Sequence, residues 1–274
     1  MTSTEPDNPS DDDGGRGAHY VQSLERGLAV IRAFDAEHPD LTLSDVARLT
    51  GLTRAAARRF LLTLNDLGYV RTDGKRFSLT AKVLELGYSY LSSMTLPEVA
   101  QPHLERLSAE VHESSSVSVL DGPDVVYVAR VAVSRIMTVS INIGTRFPAY
   151  ATSMGHVLLA GLTPTELDDY LAATPLAGLT SNTVTEPAQL RAELEKVRVQ
   201  GYSLVDQELE AGLRSVAAPV RDSAGAVIAA INISTHASRR GVEEIRGDLV
   251  PHLRAAARGI EQDLAAARRV TRLG

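Results

Sequence analysis

The segment Thr53-Arg54-Ala55-Ala56-Ala57-Arg58-Arg59-Phe60-Leu61-Leu62 gathers three arginines into two helical turns. Guanidinium groups rising between small alanines suit phosphate oxygens and guanine edges, and the alanines let a helix approach the floor of a DNA major groove. At helical spacing Ala57, Phe60, Leu61 and Leu64 share one face, while Ala55, Arg58, Arg59 and Leu62 point broadly the other way. Arg54 sits in the first turn, and Thr53 is placed to cap it. Arginines on a lone helix are ordinarily a solvated face; here the neighbouring elements decide otherwise.

Upstream, Thr42 precedes a short amphipathic helix, with Asp45 at capping-box spacing and Gly51 at its end. Two helices hinged at Gly51-Leu52 make a helix-turn-helix. Gly68 caps the second helix, and Tyr69-Val70-Arg71, Asp73-Gly74 and Arg76-Phe77-Ser78 then read as a hairpin. Such a hairpin is a wing, from which Arg71, Lys75 and Arg76 reach flanking backbone or minor groove. Residues 54–76 carry six cations against Asp66 and Asp73, or +4, although the chain as a whole carries −6. The local patch, not the total, governs phosphate contact.

A second group of residues tests for catalysis. Ser153, His156 and Asp206 are the only hydrolase-like combination, but Ala151-Thr152-Ser153-Met154-Gly155 lacks the first glycine of a nucleophile elbow. The seven histidines show no ligand spacing, and the absence of cysteine removes thiolate chemistry and Cys-ligated zinc. The only glycine cluster, Gly14-Gly15-Arg16-Gly17, follows no strand, so no metal and no cofactor is expected. A sensor pocket suits the residues better. Tyr150 to His156 mixes small, polar and flexible groups, Asn232 and Ser234 share one face of a strand, and Ser215 lies on another. Arg135 and Arg146 are candidates to charge-pair with a carboxylate ligand.

These residues need elements to hold them. The acidic tail 1–19 cannot bury an apolar face and is expected to be disordered. Residues 20–79 are expected to form the winged helix-turn-helix, opened by a helix that Ser23 can cap. Residues 80–96 then form a linker helix whose Val83, Leu84, Leu86 and Leu91 suit a dimer contact or packing on its own chain. Residues 97–270 read as an α+β domain around a mainly antiparallel sheet. Its strands are expected at 115–120, 125–130, 135–143, 202–205, 215–220 and 227–233. Its helices fall near 97–113, 154–161, 165–173, 188–200 and 242–269. No apolar run approaches the ~20 residues a bilayer requires, and no charged-then-apolar leader opens the chain, so the expectation is a cytoplasmic protein with no membrane partner.

From about Tyr20 to Arg269 the chain resembles IclR-family transcriptional regulators. The resemblance rests on Ser23-Leu24-Glu25-Arg26-Gly27-Leu28, the helix-turn-helix, Ala151-Thr152-Ser153-Met154-Gly155-His156, and Gly201-Tyr202 followed by Gly212-Leu213-Arg214-Ser215. Arg54 to Leu64 and Val205-Asp206-Gln207-Glu208-Leu209-Glu210 are similar to the branch that controls aromatic acid catabolism through the β-ketoadipate pathway. The resemblance implies a GAF/PAS-like effector domain, and a homodimer or tetramer binding operator DNA. It also implies one effector per C-terminal domain: protocatechuate, 4-hydroxybenzoate or β-ketoadipate. Effector contacts carry over onto Ser153, Met154, Ser215, Asn232 and Ser234, with His156 and Asp206 in the candidate set. Val205 stands where many relatives have an acid, so the ligand set differs from glyoxylate-type members. The alternative from another class is a small-carboxylate-processing enzyme with a vestigial DNA-binding module.

Overall fold

The computed structural model describes residues 20–35, 37–86, 95–133 and 141–271. The chain divides into two compact units, Met1–Tyr90 and Leu91–Gly274. The acidic tail, residues 87–94 of the expected linker helix (Leu91 among them), and Arg135 lie outside the described residues.

In the first unit, α1 (Gln22–Arg32), β1 (Asp40–Thr42), α2 (Leu43–Thr50), α3 (Arg54–Asp66), β2 (Val70–Thr72) and β3 (Arg76–Leu79) follow one another. Val21, without a side-chain bond, is the N-cap of α1, so Ser23 is already inside the first turn and does not cap it. β1 is an element that periodicity misses, because three residues after Pro39 carry too little alternation. It pairs antiparallel with β3, giving the order β1-β3-β2. Leu41, Phe77 and Val70 then turn inward with Val30, Val46, Ala57, Leu61 and Leu64 to form the core. Beyond the wing, residues 81–83 form a 3₁₀ turn and 84–86 are helical.

The second unit carries α4 (Thr95–Val111), β4 (Ser114–Asp121), β5 (Asp124–Val131) and β6 (Arg146–Pro148). A 3₁₀ turn (Ala149–Ala151), α5 (Ser153–Ala160), α6 (Pro164–Ala173) and α7 (Pro187–Gln200) come next. β7 (Ser203–Asp206), β8 (Leu213–Arg221), β9 (Val227–His236), α8 (Val242–Glu244), a π turn (Ile245–Leu249) and α9 (Val250–Thr271) complete it. The six strands pair antiparallel in the order β6-β5-β4-β9-β8-β7. The strand expected over 135–143 is not seen at its described end: 141–145 form a turn, and the pairing segment is β6.

Period two divides the sheet's residues between two cores. Val117, Ile231, Ile233, Val216 and Ala218 face α4 and α9, with Leu104, Leu107, Leu253 and Ile260. Tyr127, Ala217 and Ala230 face α5 and α7, with Met154, Leu159, Leu190 and Leu194. Helices therefore cover both faces. On the second side, α5 lies so close to the 3₁₀ turn that a Cβ on Gly155 would stand 1.9 Å from the Ala149 carbonyl oxygen. Neither partner is a flexible side chain, so the helix must shift. Gly155→Ala is expected to cost at least about 2 kcal/mol in urea unfolding followed by circular dichroism. A loss below about 0.5 kcal/mol would show that the contact relaxes freely.

Candidate DNA-binding surface and sensor pocket

The DNA-facing geometry begins with caps. Asp45 N–H donates to Thr42 Oγ1 at 3.3 Å, and Thr42 N–H donates to Asp45 Oδ2 at 3.1 Å. The Thr42 hydroxyl also donates to Asp45 at 2.7 Å, so Thr42 is committed to fixing the start of α2. These bonds hold the Asp45 carboxyl below its usual range, with Thr42 the principal cause. Gly51 takes a left-handed conformation (φ 69°) that lets the chain reverse into α3. Thr53 accepts from Ala56 N–H at 3.2 Å and keeps its own hydroxyl proton free to donate. Gly68, at φ 81°, ends α3 with Tyr69 N–H donating to the Leu64 carbonyl.

The exposed side of α3 is the one expected: Arg54, Ala55, Arg58 and Arg59 are exposed, while Ala57, Leu61 and Leu64 are buried. None of the three arginines forms an ion pair among the described residues, so all three are available to anionic groups. In the wing, Asp73 accepts from Lys75 N–H and Arg76 N–H at 2.8 and 2.7 Å, and Gly74 supplies φ 94°. Arg71 and Lys75 are exposed. Arg76 differs from its two neighbours. It pairs with Thr42 across β1 and donates Nη1 to the Asp40 carbonyl at 3.3 Å, tying the wing to β1.

The second unit holds a narrow cavity of about 10 Å³, lined on the sheet by Tyr127, Val205, Ser215, Asn232 and Ser234. Ser153 and Met154, at the first turn of α5, close its other side. The register puts these residues together. Val205 pairs with Ser215, Ser215 with Ser234, and Ala217 with Asn232, so Ser215, Asn232 and Ser234 share one face across β8 and β9. Asn232 Nδ2 donates to Ser234 Oγ at 3.0 Å. Asn232 Oδ1 and Ser153 Oγ are buried with no hydrogen-bond partner. Buried polar atoms of this kind cost about 1–3 kcal/mol each unless satisfied. Thr152 caps α5 by accepting from Gly155 N–H at 3.0 Å, leaving the N–H groups of Ser153 and Met154 at a helix start, where anions are stabilised.

The remaining candidates separate from this cavity. His156 is buried and donates Nε2 to the Tyr150 carbonyl at 2.6 Å, and burial lowers its pKa. It therefore stays a neutral structural group. Asp206 points to the other face of β7 and accepts from Arg214 Nε and Nη2 at 2.9 and 2.8 Å, which lowers its carboxyl pKa. Ser153 Oγ thus has no partner, His156 and Asp206 are bound elsewhere, and no nucleophile–base pair forms among them. Arg146 also lies off the cavity: it clamps the carboxylates of exposed Asp121 and half-buried Asp124 at 2.6 and 3.1 Å. Its position at an edge strand explains this, since β6 meets the β4–β5 turn rather than the sheet centre.

Sequence reasoning missed Tyr127 and Arg130 because a β-bulge intervenes. A register shift between Val117 and Ser118 sets Tyr127 opposite Ser118 and Arg130 opposite Ser116. Residues three apart on β5 therefore face the same side, a relation that strict alternation denies. Arg130 Nη1 donates to Ser116 Oγ at 3.0 Å, and its Nε is buried without a partner.

A loop from Gln207 to Gly212 covers the cavity through Leu209. It needs φ 61° at Gln207 and φ 85° at Gly212. Thr180 and Thr183 hydroxyls donate to the carbonyls of Gln207 and Glu208 at 2.7 and 2.6 Å. Glu208 has one carboxylate oxygen buried without a partner, and burial pushes its pKa up from 4.5 to about 7. The folded state thus favours the protonated acid, and its contribution is complete below about 4.5 and lost as pH rises through 7. Glu208→Gln, neutral throughout, is expected to exceed the parent in stability by about 1 kcal/mol at pH 8 and to equal it near pH 4. Melting curves at both pH values check this; an unchanged difference between them refutes it.

An arginine-faced winged helix-turn-helix and a separate unit with a polar-lined cavity define a DNA-binding protein with a small-molecule sensor. Family models place it: residues 23–74 match the IclR helix-turn-helix domain and residues 88–262 the bacterial transcriptional regulator IclR C-terminal domain. The chain belongs to the IclR family of transcriptional regulators, and these models describe regulators rather than enzymes. It is 46% identical over 242 residues to the Pca regulon regulatory protein of Pseudomonas putida, covering 88% of this chain and 83% of that one. It is 38% identical over 247 residues to the p-hydroxybenzoate hydroxylase transcriptional activator of Acinetobacter baylyi, covering 88% and 91%. The crystal structure of an IclR homolog from Microbacterium hydrocarbonoxydans, complexed with 4-hydroxybenzoate, matches with a TM-score of 0.80 at 30% identity, covering 89% and 99%.

Proposed function

We propose that this chain is an effector-controlled transcriptional regulator of aromatic acid degradation genes of the β-ketoadipate type. The carrying observation is the pair of orphaned buried atoms, Ser153 Oγ and Asn232 Oδ1, facing one cavity. A carboxylate set at the start of α5 accepts from the Ser153 and Met154 N–H groups and the Ser153 hydroxyl. A hydroxyl elsewhere on the ligand donates to Asn232 Oδ1, and Ser215 and Ser234 complete the polar wall. An aromatic or dicarboxylic acid has this chemistry, and the named relatives support the choice. On the DNA, Thr53, Arg54, Ala55, Arg58 and Arg59 enter the major groove, while Arg71 and Lys75 meet flanking phosphates. Thr42 and Arg76 position these elements. The exposed Val21, Leu24 and Leu28 around α1 support use as a homodimer or tetramer. Among the described residues no helix is long and apolar enough to cross a membrane, in keeping with work on DNA in the cytoplasm.

Gel shifts with the DNA flanking the protein's own gene test the first half. Sequence-specific binding is expected, altered by 4-hydroxybenzoate, protocatechuate or β-ketoadipate; equal affinity for scrambled DNA would end the reading. Arg58→Ala is expected to weaken operator binding by about 1–3 kcal/mol, with relaxed specificity if it reads a base and a shallower salt slope if it meets phosphate. Unchanged affinity removes Arg58 from the interface.

The pocket is tested by thermal shift, since a ligand that binds the native state raises its melting temperature. Asn232→Leu removes the orphaned acceptor, so hydroxylated acids are expected to bind roughly 5- to 100-fold more weakly, with smaller effects on unhydroxylated analogues. Equal losses for both classes would show that Asn232 does not read the hydroxyl.

A further inference from the structure

The cavity of the second unit is too small for the acids proposed to fill it. Its volume of about 10 Å³ is that of one water, whereas small-molecule sites ordinarily measure about 300–1,000 Å³. Part of its wall must therefore move before an acid can enter. Most of that wall is fixed. Tyr127 lies on β5, Ser215 on β8, and Asn232 and Ser234 on β9, each strand paired on both sides. Val205 is held in register with Ser215, and Leu213 with His236. Ala151 to Met154 are seated by the Thr152 cap and by the close approach of α5 to the 3₁₀ turn at Gly155. Leu209 remains, and it lies in no helix or strand.

The loop that carries Leu209 is suited to opening. It follows β7, the edge strand of the sheet. Ala211 is exposed, and Glu208, Leu209 and Glu210 are half-buried. The ends of the loop are anchored: Gln207 N–H donates to the Leu213 carbonyl and Ala237 N–H to the Gly212 carbonyl, both at 2.8 Å. Both ends are left-handed, at φ 61° for Gln207 and 85° for Gly212, a conformation that strains a glutamine. The Thr180 and Thr183 hydroxyls, from a separate turn, hold the carbonyls of Gln207 and Glu208 at 2.7 and 2.6 Å. Glu208 meanwhile keeps a buried carboxylate oxygen without a partner, which lifting the loop would expose to water. Opening thus costs two hydroxyl bonds to a separate turn and relieves an unmet acceptor.

We propose that the segment Glu208–Ala211 is the entrance gate of the sensor cavity, with Leu209 as its plug and the Thr180 and Thr183 hydroxyls as its latch. The segment swings on Gln207 and Gly212, Leu209 withdraws from the cavity, and the orphaned Ser153 Oγ and Asn232 Oδ1 become reachable. The gate rests on the effector site proposed above and adds the step that admits the ligand. Since only the open form binds, affinity as well as rate depends on the fraction of molecules that are open. The strand register that makes the rest of the wall rigid confines the motion to this loop.

The chain contains no cysteine, so Leu209→Cys gives a protein with a single thiol that reports the gate directly. Its alkylation by N-ethylmaleimide, followed by mass spectrometry, is expected to run at least about 10-fold slower than that of Ala211→Cys, whose site is exposed. Adding Thr180→Val or Thr183→Val is expected to speed the Leu209→Cys reaction roughly 5-fold, the effect of one lost hydrogen bond. Thr183→Ser, which keeps the hydroxyl, is expected to leave it unchanged. Without the added cysteine, the two valine variants are expected to bind 4-hydroxybenzoate faster by a similar factor in stopped-flow mixing. A Leu209→Cys thiol as reactive as that of Ala211→Cys, or valine variants that speed neither alkylation nor association, overturns the gate. So does a faster thiol with unaltered association, since the loop would then open without admitting the ligand. If no acid binds the parent although the thiol responds to the latch variants, the effector reading fails and the latched loop stands.

Discussion

The pairing of β4 with β9 at the middle of the sheet is the constraint on which the rest of the second unit depends. Ser116 opposite Asn232 and Val117 opposite Ile231 sort the residues of both strands onto two faces. Val117, Ile231 and Ile233 go to the core under α4 and α9, while Ser116, Asn232 and Ser234 take the other face, where Asn232 and Ser234 line the cavity. A slip of one residue would exchange the two sets, exposing the cavity to isoleucines and burying serines against α9. The apolar face thus fixes the register, and the register places the polar groups. The cavity is built from what the core leaves on the other side of the same strands.

The bulge on β5 modifies that order at one point. It turns Tyr127 and Arg130 to the polar face together, where a regular strand would send one of them into the α4–α9 core. In the first unit the governing constraint is local. Caps at Thr42 and Thr53 and the left-handed Gly51 fix how α3 leaves α2. The buried face of α3 then determines by exclusion which arginines meet solvent. Rigid positioning of this kind lets a few side chains read a groove, since their approach is set before DNA arrives.

The exposed arginine face, the capping box, the Asp-Gly wing and the period of the long helices were legible because each is written in neighbouring residues. Thr42 and Asp45, or Asp73 and Arg76, interact within a few positions, so spacing alone identifies them. The cavity was legible in part. Ser153, Met154, Ser215, Asn232 and Ser234 were marked by resemblance and by period two, and they do line one space. His156, Asp206 and Arg146 were marked by their chemical type, yet each serves a structural partner: the Tyr150 carbonyl, Arg214, and the Asp121–Asp124 pair. Residue type shows what a group can do, but not which neighbour will claim it.

By itself, then, the sequence determined the recognition head and the identities of the polar groups that a sensor needs. It also determined the alternation that makes one face of each strand apolar, because propensity, capping and periodicity act over a few residues along the chain. Only the tertiary structure decided which of those groups meet. The short strand β1, the bulge that brings Tyr127 and Arg130 to one side, and the bond from Arg130 to Ser116 arise from strand pairing between distant segments. Such pairing depends on the register of the whole sheet, which no local stretch of residues contains.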